Sequence, residues 1–143
     1  SKTSLVATSK NHWIKPMTTL EQVHSNTAPQ AIGPYSQAIK AGSMVFLSGQ
    51  IPLNPETMEL VSDDVAAQTH QVFKNLIAVA EAAGGGLANT VKLTIYLTDL
   101  GDFAVVNEIM AGYFNEPYPA RATIQVSALP KGSAVEIDAV LAL

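Results

Sequence analysis

Residues 121–143 read RATIQVSALPKGSAVEIDAVLAL, and two periods of two stand on either side of a proline–glycine turn. In the first, Ala122, Ile124, Val126 and Ala128 alternate with Arg121, Thr123, Gln125 and Ser127. In the second, Val135, Ile137 and Ala139 alternate with Glu136 and Asp138. Strict alternation over this length predicts strands with one core-facing side. Pro130, Lys131, Gly132 and Ser133 supply the turn signal between them.

Working outward, TVKLTIYLT (90–98) alternates in the same way, with Val91, Leu93, Ile95 and Leu97 on one side and Lys92, Thr94 and Tyr96 on the other. DLGDFAVVNEIMAGYF (99–114) changes to a helical period. Phe103, Asn107, Met110 and Phe114 share a stripe, Asp99 is a candidate cap with Asp102 as its box-like partner, and Pro117 and Pro119 end the element. A longer helical pattern starts at Asp63, with Val65, Thr69, Val72, Leu76, Val79 and Ala83 three and four apart. Ser62 is its predicted N-cap and Gly84–Gly86 its stop. Upstream, TTLEQVHS, SQAIKAG and AGSMVFLSGQIP read as three strands.

The predicted order is βββαβαββ. That predicts an α+β domain, a single sheet with both helices on one face. The other face, expected to carry Arg121, Glu136 and Asp138, is left for solvent, a ligand or another subunit. Residues 17–143 form the predicted domain. Residues 1–16, ahead of a start-like Met17, read as an extension: an expression remnant, a native segment or part of an organellar transit peptide.

The composition narrows the function classes. The chain has 143 residues, 48% hydrophobic and only 14% charged. Enough apolar material is present for a core, but little charge to cover a monomer, so part of the surface is expected to be buried in an oligomer. The net charge is −4, with seven lysines dispersed along the chain and no basic run, which weighs against nucleic acid as a partner. No cysteine is present, so disulfides and thiolate chemistry are excluded. His12, His24 and His70 show no ligand spacing, and no apolar run approaches the roughly 18 residues of a membrane span. The cytoplasm is the expected compartment.

Three polar residues stand where a plain core would be apolar. Arg121 is the only arginine; its planar fork suits either an ion pair or a bound carboxylate. Asn107 lies on the core stripe of the second helix, where a buried amide needs partners, either a loop backbone or a ligand. Glu136, between Val135 and Ile137, is either a solvated strand residue or a carboxylate able to position a water. Gly33–Ser36 and Ser48–Gln50 place hydroxyls next to glycines. A tight hairpin between the last two strands would pair Glu136 with Ser127, putting Arg121 six residues, roughly 20 Å, further along. Either another strand separates them, or different subunits supply them.

Four segments taken together resemble the Rid family (reactive intermediate deaminase, also called YjgF or L-PSP). They are APQAIGPYSQAI (28–39), VFLSGQIPLNPETMEL (45–60), DLGDFAVVNEIMAGYF (99–114) and PARATIQVSALPKGSAVEIDA (119–139). The resemblance runs from Ala28 to Leu143. It implies a chorismate-mutase-like fold, a homotrimer with sites between subunits, and hydrolysis of 2-imino and enamine acids such as 2-iminobutanoate and 2-iminopropanoate to 2-keto acids and ammonia. No metal or organic cofactor is implied. By the same resemblance Arg121 pairs with the substrate carboxylate and Glu136 orients water. Tyr35 walls the pocket, Asn107 holds its geometry or the substrate, and Ser48 and Gly49 line it. Thr123 stands where many members carry cysteine. The competing readings are a single-strand endoribonuclease or translation inhibitor, and a non-catalytic ligand-binding or chaperone-like module.

Overall fold

The computed structural model describes residues 2–3 and 19–143. The strands are β1 (Lys2–Thr3), β2 (Leu20–Val23), β3 (Ala38–Ala41), β4 (Met44–Gln50), β5 (Thr90–Leu97), β6 (Ala120–Gln125) and β7 (Val135–Ala142), with helices α1 (Val65–Ala82) and α2 (Phe103–Ala111). Apart from the two-residue β1, this is the predicted βββαβαββ order, and the α+β class holds. Met17, His12 and residues 4–18 generally lie outside the described residues. Lys2 and Thr3 pair with Glu21 and Leu20 of β2.

All seven strands form one sheet in the order β1-β2-β3-β4-β7-β5-β6. The last two strands do not form a hairpin; of the alternatives left open by the sequence, an intervening strand is the one found. β5 lies between them, antiparallel to β7 and parallel to β6. The reason is topological. β5, α2 and β6 make a β–α–β unit, and a strand that returns through a helix pairs parallel to the one it left.

The core lies between the sheet and α1. Val72, Phe73, Leu76 and Val79 of α1 meet Val45 and Leu47 of β4, Leu93, Ile95 and Leu97 of β5, and Val135, Ile137 and Leu141 of β7. Each of these strand runs has the period of two that a one-sided sheet requires. Val91 is the exception to the predicted alternation. It sits at a register shift between β5 and β7 and is exposed, so it leaves the core side.

The helix ends differ in detail from the sequence reading. The N-cap of α1 is Asp64, whose carboxylate accepts from Ala67 N at 3.0 Å, while Ser62 Oγ accepts from Asp64 N one step earlier. Asp99 caps a short 3-10 turn, Leu100–Asp102, that precedes α2, and Asp102 makes no side-chain cap bond. Gly84 takes a φ of +95° just beyond α1, the conformation the predicted stop required. No helix among the described residues is long and apolar enough to cross a membrane.

Candidate functional site

β6 is the edge strand, and its register settles where Arg121 points. Arg121, Thr123 and Gln125 pair with Leu93, Ile95 and Leu97, the core-facing residues of β5. Residues paired across a ladder project to the same face. Arg121 therefore stands on the helix side of the sheet, not on the open side where alternation alone had placed it. Glu136 pairs with Tyr96 and keeps to the open side, with Asp138 opposite Thr94. The expected common polar face is thus divided. The apolar residues of β6, Ala122 and Ile124, are the ones that face out, and Ile124 is 45% exposed.

The physical reason is the reach of α2. This helix has only nine residues and runs beside β6 without burying its whole length, so polar side chains fit the rim beneath it. Nη1 of Arg121 donates to Asn107 Oδ1 at 2.5 Å and approaches Met110 Sδ at 3.6 Å. Its guanidinium carbon lies 5.2 Å from the centroid of Phe103, a cation–π distance. Phe103, Asn107 and Met110 are the predicted stripe of α2, spaced four and three apart, so one helix face holds the arginine from three sides. Asn107 is exposed rather than buried; its amide serves the arginine rather than a loop. Among the described residues no carboxylate forms an ion pair with Arg121, and the residue lies on the wall of an open cleft of about 440 Å³. Asn107, Met110, Ala111, Tyr118, Pro119 and Arg121 line it.

Thr123 follows Arg121 on the same side of β6. Its hydroxyl is buried and has no hydrogen-bond partner, and Thr123 is not among the residues that line the cleft.

The other predicted residues gather elsewhere. Tyr35 and Gly49 line a second groove of about 270 Å³, with Ile32, Ile51, Met58 and Lys131 also on its walls. The Glu136 carboxyl lies directly over Gly49: a Cβ on residue 49 would stand 2.9 Å from Glu136 Cδ. Glycine is required here for close approach, since any side chain would occupy the carboxylate's place. Ser48 is beside it, but its hydroxyl donates to Ser36 O at 2.6 Å and secures the Tyr35 loop rather than facing the groove.

Burial raises the proton affinity of Glu136 above the ordinary carboxylate range, and the nearby charge of Asp138 adds to it. Asp138 itself accepts from the Tyr96 hydroxyl at 2.9 Å. This Tyr96–Asp138 pair was not singled out from the sequence. Its signal was the position of the two residues on the polar side of adjacent alternating strands.

Arg121, Asn107 and Thr123 thus fall in one group, a candidate half-site, and Tyr35, Gly49 and Glu136 in another. Arg121 is in register with Leu93, and Leu93 with Ala139. Glu136 is therefore two strands across and three residues along, roughly 14 Å from Arg121 at the backbone, and projects from the opposite face. No group of histidine, aspartate or glutamate among the described residues is placed to hold a metal ion.

The fold is an α+β sheet with an arginine on its edge strand, without an ion-pair partner among the described residues, and a carboxylate on its free face. The chain belongs to the Rid/YjgF/L-PSP family: residues 25–143 match the family profile described as Endoribonuclease L-PSP. It is 61% identical over 120 residues to protein DfrA of Myxococcus xanthus, covering 82% of this chain and 92% of that one. It is 50% identical over 113 residues to the 2-iminobutanoate/2-iminopropanoate deaminase of Homo sapiens, covering 79% and 82% respectively. The crystal structure of RidA from an Antarctic Psychrobacter superposes with a TM-score of 0.83 at 51% identity, over 86% of this chain and 99% of that one.

Proposed function

We propose that the protein hydrolyses short 2-imino acids and their enamine tautomers, 2-iminobutanoate and 2-iminopropanoate among them, to 2-keto acids and ammonium. The observation that carries this reading is the guanidinium of Arg121, set by Asn107 and Phe103 yet without a carboxylate partner among the described residues, at the mouth of a cleft. A fork held in place by α2 can present N–H groups to a planar carboxylate with little left to reorganise. The human relative's name supports the choice of imine.

The reaction needs water brought to the imine carbon and a proton moved. Protonated, the C=NH2+ group is electrophilic, and Arg121 fixes its carboxylate. Glu136, made a stronger base by burial and the neighbouring charge of Asp138, accepts a proton as water adds to the carbon. The proton then passes to nitrogen, the C–N bond breaks with its electron pair leaving on ammonia, and the hydroxyl proton is lost as C=O forms. One iminium and one water become one ketone and one ammonium. Positioning of this sort can lower a barrier by several kcal/mol without a covalent nucleophile.

We further propose that the working unit is a homotrimer with sites between subunits. In one chain the half-sites face opposite sides of the sheet, so Arg121 of one copy must meet Glu136 and Tyr35 of another. The free sheet face, with Phe46 50% exposed and Ile124 beside Ala122, supplies apolar surface for that contact. The cytoplasm remains the proposed compartment.

The test is keto-acid release from 2-iminobutanoate generated by a threonine dehydratase. Arg121→Ala and Glu136→Gln are each expected to be inactive alone. After unfolding and refolding together they are expected to regain activity, because a mixed oligomer contains interfaces with both native residues. Wild-type turnover by Arg121→Ala would overturn the role of the arginine. Failure of the mixture to recover, with hybrids present by native mass, would overturn the shared site.

A further inference from the structure

The open face of the sheet carries a polar pair that the proposed chemistry has not used. Tyr96 of β5 stands directly opposite Glu136 of β7, and Asp138 follows Glu136 by two residues on the same side. The Tyr96 hydroxyl does not turn to Glu136. It donates to Asp138 Oδ2 at 2.9 Å, so Asp138 is fixed while Glu136 is left free to lie over Gly49. Residues two apart on a strand are about 7 Å apart at Cα. Two carboxylates at that spacing, on a half-buried surface, interact appreciably.

We propose that Asp138, held by the Tyr96 hydroxyl, is a positioning residue that acts through Glu136: its fixed negative charge keeps Glu136 a strong enough base to take the proton from water during imine hydrolysis. The inference rests on the reading of Glu136 as the hydrolytic base. It goes beyond it in assigning a role to Tyr96 and Asp138, which neighbour Glu136 on the sheet but were not counted in either half-site.

Within one chain, Asp138 is the charge beside Glu136 on this face; in the proposed oligomer Arg121 of another copy faces Glu136 as well, and Asp138 opposes the acidifying effect of that cation. On β7 it is the other acid on this face. On β5 the facing groups are Tyr96 and Thr94, with Lys92 opposite Val140, four residues along from Glu136. β4, packed on the other side, has no charged residue over Met44–Gln50. β6, the strand beyond β5, presents Ala120, Ala122 and Ile124 on this side. At the groove, Tyr35 is neutral and Lys131 lies on the rim with its ammonium donating to Met58 O at 3.0 Å. The tyrosine is a durable donor: its hydrogen bond to Asp138, with burial and the two carboxylates, pushes the phenol above its ordinary value. Glu136 is raised by burial first and by Asp138 second, in accord with the geometry.

The arrangement also explains why Tyr96 is tyrosine in a strand whose other side is pure core. A phenylalanine would fill the same space. Only the hydroxyl can tie down Asp138 and stop it from rotating toward solvent, where its effect on Glu136 would be screened.

The test is the pH dependence of kcat/KM for 2-iminobutanoate. Asp138→Asn keeps an oxygen to accept from Tyr96 and removes only the charge. Glu136 then loses its proton more readily, so the acid limb of the profile is expected to move to lower pH. The plateau is expected to fall several-fold as the base weakens, with KM unchanged. Asp138→Glu, which restores the charge, is expected to return the limb toward its wild-type position. Asp138→Thr, suited to a strand, is the second charge-free variant should the amide fail to fold. A limb that stays in place in the folded charge-free variant overturns the proposal, as does equal loss at every pH. Glu136→Gln separates this from the underlying reading: if that variant keeps wild-type activity, the role of Glu136 itself fails. If it is inactive while Asp138→Asn leaves the limb unmoved, only the role of Asp138 fails.

Discussion

Replacing Gly49 by alanine separates the catalytic placement of Glu136 from its contribution to folding. A Cβ at position 49 would lie 2.9 Å from Glu136 Cδ and 3.2 Å from Cγ, and nearer still to Oε2. Carbon atoms pack at about 3.5–4.0 Å, so the carboxyl must withdraw by about 1 Å or take another rotamer. The obstructed atoms are the far end of a flexible side chain, so the structural cost is that of a displaced rotamer, about 0.5–1.5 kcal/mol. Alanine offsets this by reducing the freedom of the unfolded chain, about 0.4–1 kcal/mol. Gly49 has no left-handed φ to oppose the change. The net effect on stability is expected to lie within about 1 kcal/mol, a Tm change of roughly 4 °C or less. Catalysis responds differently, since a 1 Å misplacement of a positioned group costs about 10²-fold. Imine turnover and thermal unfolding measured on one preparation should therefore diverge: kcat/KM down about a hundredfold, Tm nearly unchanged. Wild-type kcat/KM in a folded Gly49→Ala protein would refute the placement of the base. A large fall in Tm would show that the glycine is held there by packing.

Arg121→Lys is expected to lose at least about tenfold in kcat/KM, since an ammonium cannot reproduce the planar fork or its contact with Phe103; a steady-state comparison with Arg121→Ala checks this. Asn107→Ala should raise KM more than it lowers kcat, with Tm almost unchanged, because the amide is exposed and acts on the arginine. Gln68 is buried and holds Ala134 N through Oε1 at 2.8 Å and Ser62 O through Nε2 at 2.9 Å. Gln68→Leu strands both groups and is expected to cost about 2–4 kcal/mol in urea unfolding. Glu136→Gln bears on stability through pH. A carboxyl whose proton affinity is raised on folding binds more protons in the native than in the unfolded state above the ordinary value of 4.5. Native stability therefore falls as pH rises through the window between 4.5 and the raised value. Glu136→Gln is expected to be more stable than wild type near neutral pH and to lose that advantage below pH 4.5, as thermal melts across the range would show.

Much of this architecture was legible because the patterns are local. Leu93, Ile95 and Leu97 alternate over a buried face, and Val72, Leu76 and Val79 recur at helical spacing, so both elements declare themselves. The residue pattern brought Arg121, Asn107 and Glu136 to notice and the family segments added Thr123, Tyr35 and Gly49; the structure places Arg121, Asn107 and Thr123 in one group and Tyr35, Gly49 and Glu136 in another. What alternation could not say was which side of β6 faces the helices. In a central strand the apolar side is the core side, because both neighbours are covered. β6 is an edge strand beneath the rim of a nine-residue helix. There the core-side positions reach water, so Arg121, Thr123 and Gln125 fit, and the apolar Ala122 and Ile124 turn outward. The missing clue was connectivity: β5, α2 and β6 in succession imply a parallel pair, which places β5 beside β6 and denies β7 that position.

That connectivity bears directly on how the site can work. Inserting β5 between β6 and β7 shortens the separation of Arg121 and Glu136 from the roughly 20 Å of a hairpin to roughly 14 Å. The nearer arrangement is nevertheless no better for one chain, because the intervening sheet is continuous and its two sides do not communicate. A short imino acid spans only a few ångströms between its carboxylate and its imine carbon. It cannot touch the guanidinium on the helix side and the carboxylate on the open side of one sheet. On the proposed reading each chain has two incomplete halves on opposite faces, and a closed ring of identical copies is the symmetric way to bring every half against its complement. An outward apolar strand edge at Ile124 and Ala122, adjacent to the arginine, is what such a ring requires from each copy. On this argument assembly and activity are a single property. Diluting the protein below its association threshold should abolish turnover before it alters the helices, and turnover that persisted in a monomer of 15.1 kDa would contradict the division of the site between faces.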